Sequence, residues 1–215
     1  MSKSIYKYVG VTSLDKVLAS DEHVTLKCTY PKDFNDPYEL FLTINFNEEP
    51  DVLAFYSDAI GKLAQLPTTC FSLSPAVVPM WAHYTQNHEG FVIDFDEEKL
   101  AAAFPESGFG DVDYLDSTNP GLSEMLYRAS GIGKPRYVYM LRKWVFSAAY
   151  FTKTTAWSYE QERRMVVPEA ETRRIGDIIL MDVKKDCVKS LIAGPRASQQ
   201  TIDAVRDKAN DLGCA

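Results

Sequence analysis

Two carboxylates and a guanidinium stand at alternate positions in Trp157-Ser-Tyr-Glu160-Gln-Glu162-Arg-Arg164. If the segment is a strand, Glu160, Glu162 and Arg164 share one face, because side chains two apart point the same way. The following Met165-Val-Val suits a half-buried pleated surface. Like charges this close raise the pKa of at least one partner, which is how a site obtains a carboxylate poised for acid/base work or for stabilising a cation. The competing reading is structural: Arg164 neutralises the pair and the three groups form an internal ion network.

Three further groupings carry candidate chemistry. Met80-Trp-Ala-His-Tyr84 followed by His88 puts two histidines five apart, which misses the i, i+4 spacing of helical metal pairs, and no H-E-x-x-H is present. We therefore read His83 and His88 as scaffold residues at a helix end and expect no metal. Phe34-Asn-Asp-Pro-Tyr-Glu39 is rich in turn formers. It is either a self-capped turn or a loop that presents Asn35, Asp36 or Glu39 to a ligand. Ser72, ending Cys70-Phe-Ser, lacks the G-x-S-x-G elbow of a nucleophile and reads as a polar contact. The P-loop and G-x-G-x-x-G signatures are absent as well.

The elements that must position these residues follow from periodicity. Strands are expected at Ile5 to Val9, His23 to Thr29, Thr68 to Ser72, Phe91 to Phe95, Val112 to Tyr114, Ile175 to Val183 and Val188 to Ile192. Helices are expected at Asp51 to Gln65, Met80 to Asn87, Leu122 to Ser130, Lys134 to Lys153 and Ser198 to Leu212, with a mobile segment from Asn45 to Pro50. Short strands and helices interleave without a βαβ rhythm. This indicates an α+β fold, a single domain over residues 1–215 with flanking helices.

Composition bounds the rest. The chain has 215 residues, 46% of them hydrophobic, enough for a proper core. A net charge of −7 and a pI near 5.0 argue against a general electrostatic grip on a DNA backbone, although a local basic groove could still exist. Cys28, Cys70, Cys187 and Cys214 are scattered, as expected of reduced thiols in a cytoplasmic protein. No apolar run approaches the roughly 20 residues of a membrane helix, so no membrane partner is expected.

Taken together, Tyr6-Lys7-Tyr8, Phe34 to Glu39, Cys70-Phe71-Ser72, Met80-Trp81-x-His83-Tyr84, His88-x-Gly90 and Trp157-x-x-Glu160-x-Glu162-x-Arg164 resemble the bacterial and phage family called domain of unknown function 2971. The resemblance runs from about Ile5 to Ile192. That family is more loosely similar to proteins of abortive-infection systems. The order of parts also resembles the ADP-ribosyltransferase superfamily, in particular its DNA-modifying toxins. This second resemblance implies a mixed or antiparallel split β-sheet and NAD as substrate. It implies that Tyr6, Lys7 and Tyr8 line the NAD site, that Ser72 and Trp81 pack around the nicotinamide ribose, that Glu162 is catalytic and that Glu160 orients the acceptor. The activity it implies is ADP-ribosyl transfer or NAD cleavage in phage-host conflict. The alternative is a non-enzymatic module of a defence or counter-defence system that binds a nucleotide or a protein through a rim of Trp81, His83, Tyr84 and Asn35.

Overall fold

Ile5, Lys7 and Val9 alternate with Tyr6 and Tyr8, so the first strand, β1 (Ser4–Val9), offers two unlike faces to the sheet it enters. The computed structural model describes residues 3–36, 49–61, 65–116, 120–132 and 135–215. After β1 come α1 (Leu14–Val17), β2 (His23–Cys28), α2 (Pro50–Gly61), β3 (Thr68–Ser72), α3 (Val78–Tyr84), β4 (Phe91–Asp96), α4 (Glu97–Ala103), β5 (Gly108–Asp111) and β6 (Asp113–Tyr114). The chain continues through α5 (Pro120–Ile132), α6 (Pro135–Phe151), β7 (Thr152–Lys153), β8 (Glu162–Val166), β9 (Arg173–Ile175), β10 (Ile178–Lys184), β11 (Val188–Ala193) and α7 (Gln199–Leu212). It is a mixed α and β protein with antiparallel main sheets.

The described residues divide into two compact units. The first, made of Met1–Thr29, Pro67–Asp111 and Tyr159–Ala215, contains a six-stranded sheet in the order β11-β4-β1-β3-β8-β5 and a three-stranded sheet in the order β2-β10-β9, both antiparallel throughout. The second, Tyr30–Leu66 and Val112–Ser158, holds α2, α5 and α6 with the short parallel pair β6 and β7.

One face of the six-stranded sheet buries Ile5, Phe71, Ile93, Phe95 and Met165, with the Phe71 and Phe95 rings edge to face at 5.7 Å. The other face is covered by α3, where Val77, Met80 and Trp81 close on Tyr8 and Val92. Asp96 starts α4 by accepting from the backbone N–H groups of Glu98 and Lys99, and Ser198 starts α7 by accepting from Thr201.

Three expectations need correction. The acidic segment is not one strand: residues Thr155–Glu160 form a 3₁₀ turn, Gln161 takes a left-handed φ of 47°, and β8 begins at Glu162. The expected strand from Ile175 to Val183 is a hairpin instead, because Gly176, at φ 58°, lets Ile175 pair directly with Ile178. The strand expected at Val112 to Tyr114 is shorter, β6 over Asp113–Tyr114, and a further strand, β5, precedes it at Gly108–Asp111. Residues 45–48 of the expected mobile segment, and residues 37–39 of the turn-rich motif, lie outside the described residues.

The described cysteines are free thiols in or near the core. Burial pushes Cys28 up to about 12, and it raises Cys70 above its ordinary range with the nearby Glu162 charge adding to the rise. The folded chain therefore holds these protons where unfolded thiols, near 9, would release them. Stability from this source is complete below pH 9 and is lost as pH rises toward 12. Urea unfolding midpoints measured at pH 8, 9 and 10 should fall with pH, and Cys28→Ala should flatten that fall.

Candidate functional site

The register of the six-stranded sheet assembles the site. Tyr6 pairs with Ser72 and Ser72 pairs with Glu162, so three residues far apart in sequence form one row on one face. On the other side of Tyr6 the row continues to Asp94 and Ser190. Asp94 belongs to none of the sequence motifs above. The period-two pattern that sets Phe91, Ile93 and Phe95 on one face places it on the opposite one, beside Tyr6. Burial raises the Asp94 carboxyl above its usual range, against the pull of a hydrogen bond with Ser4.

Glu160 and Glu162 meet different partners. The Glu162 carboxylate receives both Nε, at 2.8 Å, and Nη2, at 3.0 Å, of Arg164, and the two side chains are 6% and 1% exposed. This is a buried bidentate pair, and the negative charge of Glu162 is matched within the strand. Glu160 is also buried; its Oε1 accepts from the Tyr84 hydroxyl at 2.6 Å and its backbone carbonyl from Ser72 Oγ at 2.7 Å. The left-handed Gln161 between them returns its carbonyl to Leu73 N at 2.9 Å, which fixes the turn that takes Glu160 off the strand.

Ser72 is thus a buried polar contact that ties β3 to the acidic turn; its Oγ also accepts from Ser74 N at 3.2 Å. Tyr8 and Trp81 stack edge to face at 5.4 Å. Tyr8 donates to Ser74 O at 3.0 Å and accepts from Val77 N at 3.2 Å, while Trp81 Nε1 donates to Pro75 O at 2.8 Å. Both rings are held from two sides, and Tyr6, Tyr84 and Tyr159 pack half-buried against them.

Lys7 stands apart from this face. Strand alternation turns Lys7 to the opposite side of β1, where its ammonium donates to Thr69 Oγ1 at 3.0 Å and Cys70 O at 2.8 Å and lies over the Phe71 ring. Burial there lowers its pKa below the ordinary lysine value. Lys7 therefore does not line the face that carries Tyr6, Ser72 and Glu162. Asn35 is exposed in the second unit.

His83 is exposed near the end of α3. Beyond that helix, Gln86, Asn87 and His88 all have positive φ, at 52°, 61° and 74°. Non-glycine residues hold this conformation only when their surroundings impose it. Asn87 N bonds Ala82 O, His88 N bonds Trp81 O, and the Gln86 amide oxygen receives Thr12 N at 2.9 Å. The His88 carbonyl in turn accepts from Arg196 N at 3.1 Å. The His88-x-Gly90 motif is a backbone clamp, and among the described residues no cluster of three His, Cys, Asp or Glu is placed to hold a metal.

Residues 80–165 match the family model described as a protein of unknown function, DUF2971. This segment runs from α3, which packs on Tyr8 and Val92, to β8, whose Glu162 ends the row. Over this segment the chain is similar to that family. No curated protein and no solved structure matches the chain. The DUF2971 segment contains Trp81, His83, Tyr84, Glu160, Glu162 and Arg164, whereas Tyr6, Lys7, Tyr8 and Ser72 lie before it. No helix among the described residues is long and apolar enough to cross a membrane.

Proposed function

We propose that the face of the six-stranded sheet bearing Tyr6, Ser72 and the acidic turn is a nucleotide-binding site, and that the protein is a binding module of a phage defence or counter-defence system. The observation that carries this reading is the buried fork between Glu162 and Arg164. A carboxylate whose charge is already matched by a guanidinium has little left to offer a developing ribosyl cation, but the paired groups form a rigid, neutral floor. Half-buried tyrosines beside such a floor suit a base, since every base has a face on which an aromatic ring can stack.

Calorimetric titration against a panel of NAD, ATP, GTP and their monophosphates tests the reading. Saturable binding is expected for at least one member, without chemical change in it. Tyr6→Ala should weaken that binding roughly tenfold through lost stacking. Failure to bind any of the panel at millimolar concentration would remove the proposal.

The second reading, NAD cleavage or ADP-ribosyl transfer on an ADP-ribosyltransferase-like fold, is favoured by the Tyr6–Ser72–Glu162 row itself. It brings the first strand and the acidic segment together as that chemistry would require. If this reading holds, labelled NAD incubated with the protein and cell extract releases nicotinamide or transfers its label, and Glu162→Gln lowers the rate on the order of 10²-fold. Neither product appearing, with Glu162→Gln indistinguishable, leaves binding as the activity.

A further inference from the structure

Residues 125–159 contain no Asp or Glu, yet they carry Arg128, Lys134, Arg136, Arg142, Lys143 and Lys153 in a chain whose net charge is −7. The structure gives this segregated charge a form. Most of the segment lies on α5 and α6, which pack together within the second unit. On α6, Arg136, Tyr139, Lys143 and Ser147 are all exposed. Their spacing of three, seven and eleven residues from the first makes them one solvent-facing stripe. Val145 and Tyr150 are buried on the same helix, and the Tyr150 hydroxyl takes the backbone N–H of Leu66 at 2.6 Å within this unit.

Among the described residues Tyr139 is the most exposed of the large apolar side chains at 69%, and Tyr127 on α5 is 46% exposed. Burying neither ring while flanking them with cations costs a folded protein solubility and gains it no core. Arg128 beside Tyr127 is paired with Glu124 at 2.5 Å on its own helix, so the unbalanced charge of the described stripe is that of α6. The acidic residues of this unit fall before Leu66 and at Asp113, Asp116 and Glu124.

We infer that the exposed face of α6, centred on Arg136, Tyr139 and Lys143, is a docking surface for single-stranded nucleic acid. Two cations two turns apart, Arg136 and Lys143, suit successive phosphates of a chain, and the exposed tyrosine between them offers a base a ring to stack on. A membrane surface is disfavoured because an interfacial helix presents a broad apolar face opposite its cations, and here the apolar side of α6 is spent on packing. An acidic protein partner would use the charges but leave Tyr139 unexplained. The inference stands independently of the nucleotide site, since it uses none of its residues.

Fluorescence anisotropy of the full chain with labelled 30-nucleotide single-stranded DNA and RNA, from 25 to 300 mM salt, tests it. Binding in the micromolar range at low salt is expected, weakening steeply as salt rises. Arg136→Glu and Lys143→Glu should each raise Kd by about tenfold and reduce the salt slope by about one, and Tyr139→Ala should weaken binding with the slope unchanged. Lys184→Glu, an exposed-charge change in the other unit, should leave Kd as it was. Circular dichroism verifies that the helix substitutions leave the fold intact. No oligonucleotide binding at 25 mM salt would overturn the inference. So would equal binding by all four variants, or binding of phosphatidylserine vesicles or polyglutamate with nucleic acid ignored.

Discussion

Replacing Arg164 with methionine is expected to lower the unfolding free energy by about 3–5 kcal/mol, because it leaves the Glu162 carboxylate buried without its fork. For a protein whose whole stability is on the order of 5–15 kcal/mol, this is the difference between a folded and a marginal chain. The partner is the cause, so removing both charges should restore most of the loss: Glu162→Leu with Arg164→Met fills a similar volume and strands no charge. Urea unfolding of the two single variants and the double variant forms the cycle. A loss below about 1 kcal/mol for Arg164→Met would mean that the pair is solvated and that Glu162 has charge available for a ligand. The cycle therefore bears on function as well as stability.

Gly90→Ala should cost about 3 kcal/mol, near the top of the usual range for overpacking. A Cβ at this position would sit 2.1 Å from the carbonyl oxygen of Val9 and 3.1 Å from Gly10 Cα, all backbone atoms of a paired strand and its exit. Nothing flexible is available to yield. Gly194 faces the same difficulty from the other side, its Cβ 2.2 Å from the His88 carbonyl. Gly108→Ala is the control: no atom lies within 4 Å of its Cβ, and the change should alter stability by less than about 1 kcal/mol. Equal unfolding midpoints for Gly90→Ala and Gly108→Ala would show that the backbone at Val9 and Gly10 yields readily to a side chain there.

Much of the layout was legible from period and punctuation. Ile5 to Val9, Thr68 to Ser72 and Val188 to Ile192 read as strands and are strands, and the aromatic run after Lys134 is a helix. The misreadings are local and have causes. Period two places Glu160 on the strand only while the backbone stays extended, and the left-handed Gln161 breaks that condition. Gly176 split the expected strand after Ile175 by supplying a turn of two residues. The ADP-ribosyltransferase resemblance implies one role for Lys7, Tyr6 and Tyr8, although the alternation of a strand separates Lys7 from both.

By itself the sequence determined which segments extend or coil, the segregation of cations into residues 125–159, and the ordered motifs that the DUF2971 match covers in part. These are local quantities, set by each residue and its near neighbours. Only the tertiary structure decided that Tyr6, Ser72 and Glu162 share a row, that Asp94 joins them, and that Arg164 takes up the charge of Glu162. Those outcomes depend on which strands pair and in what register, a choice made by burying several faces at once across gaps of many tens of residues. No spacing along the chain records it.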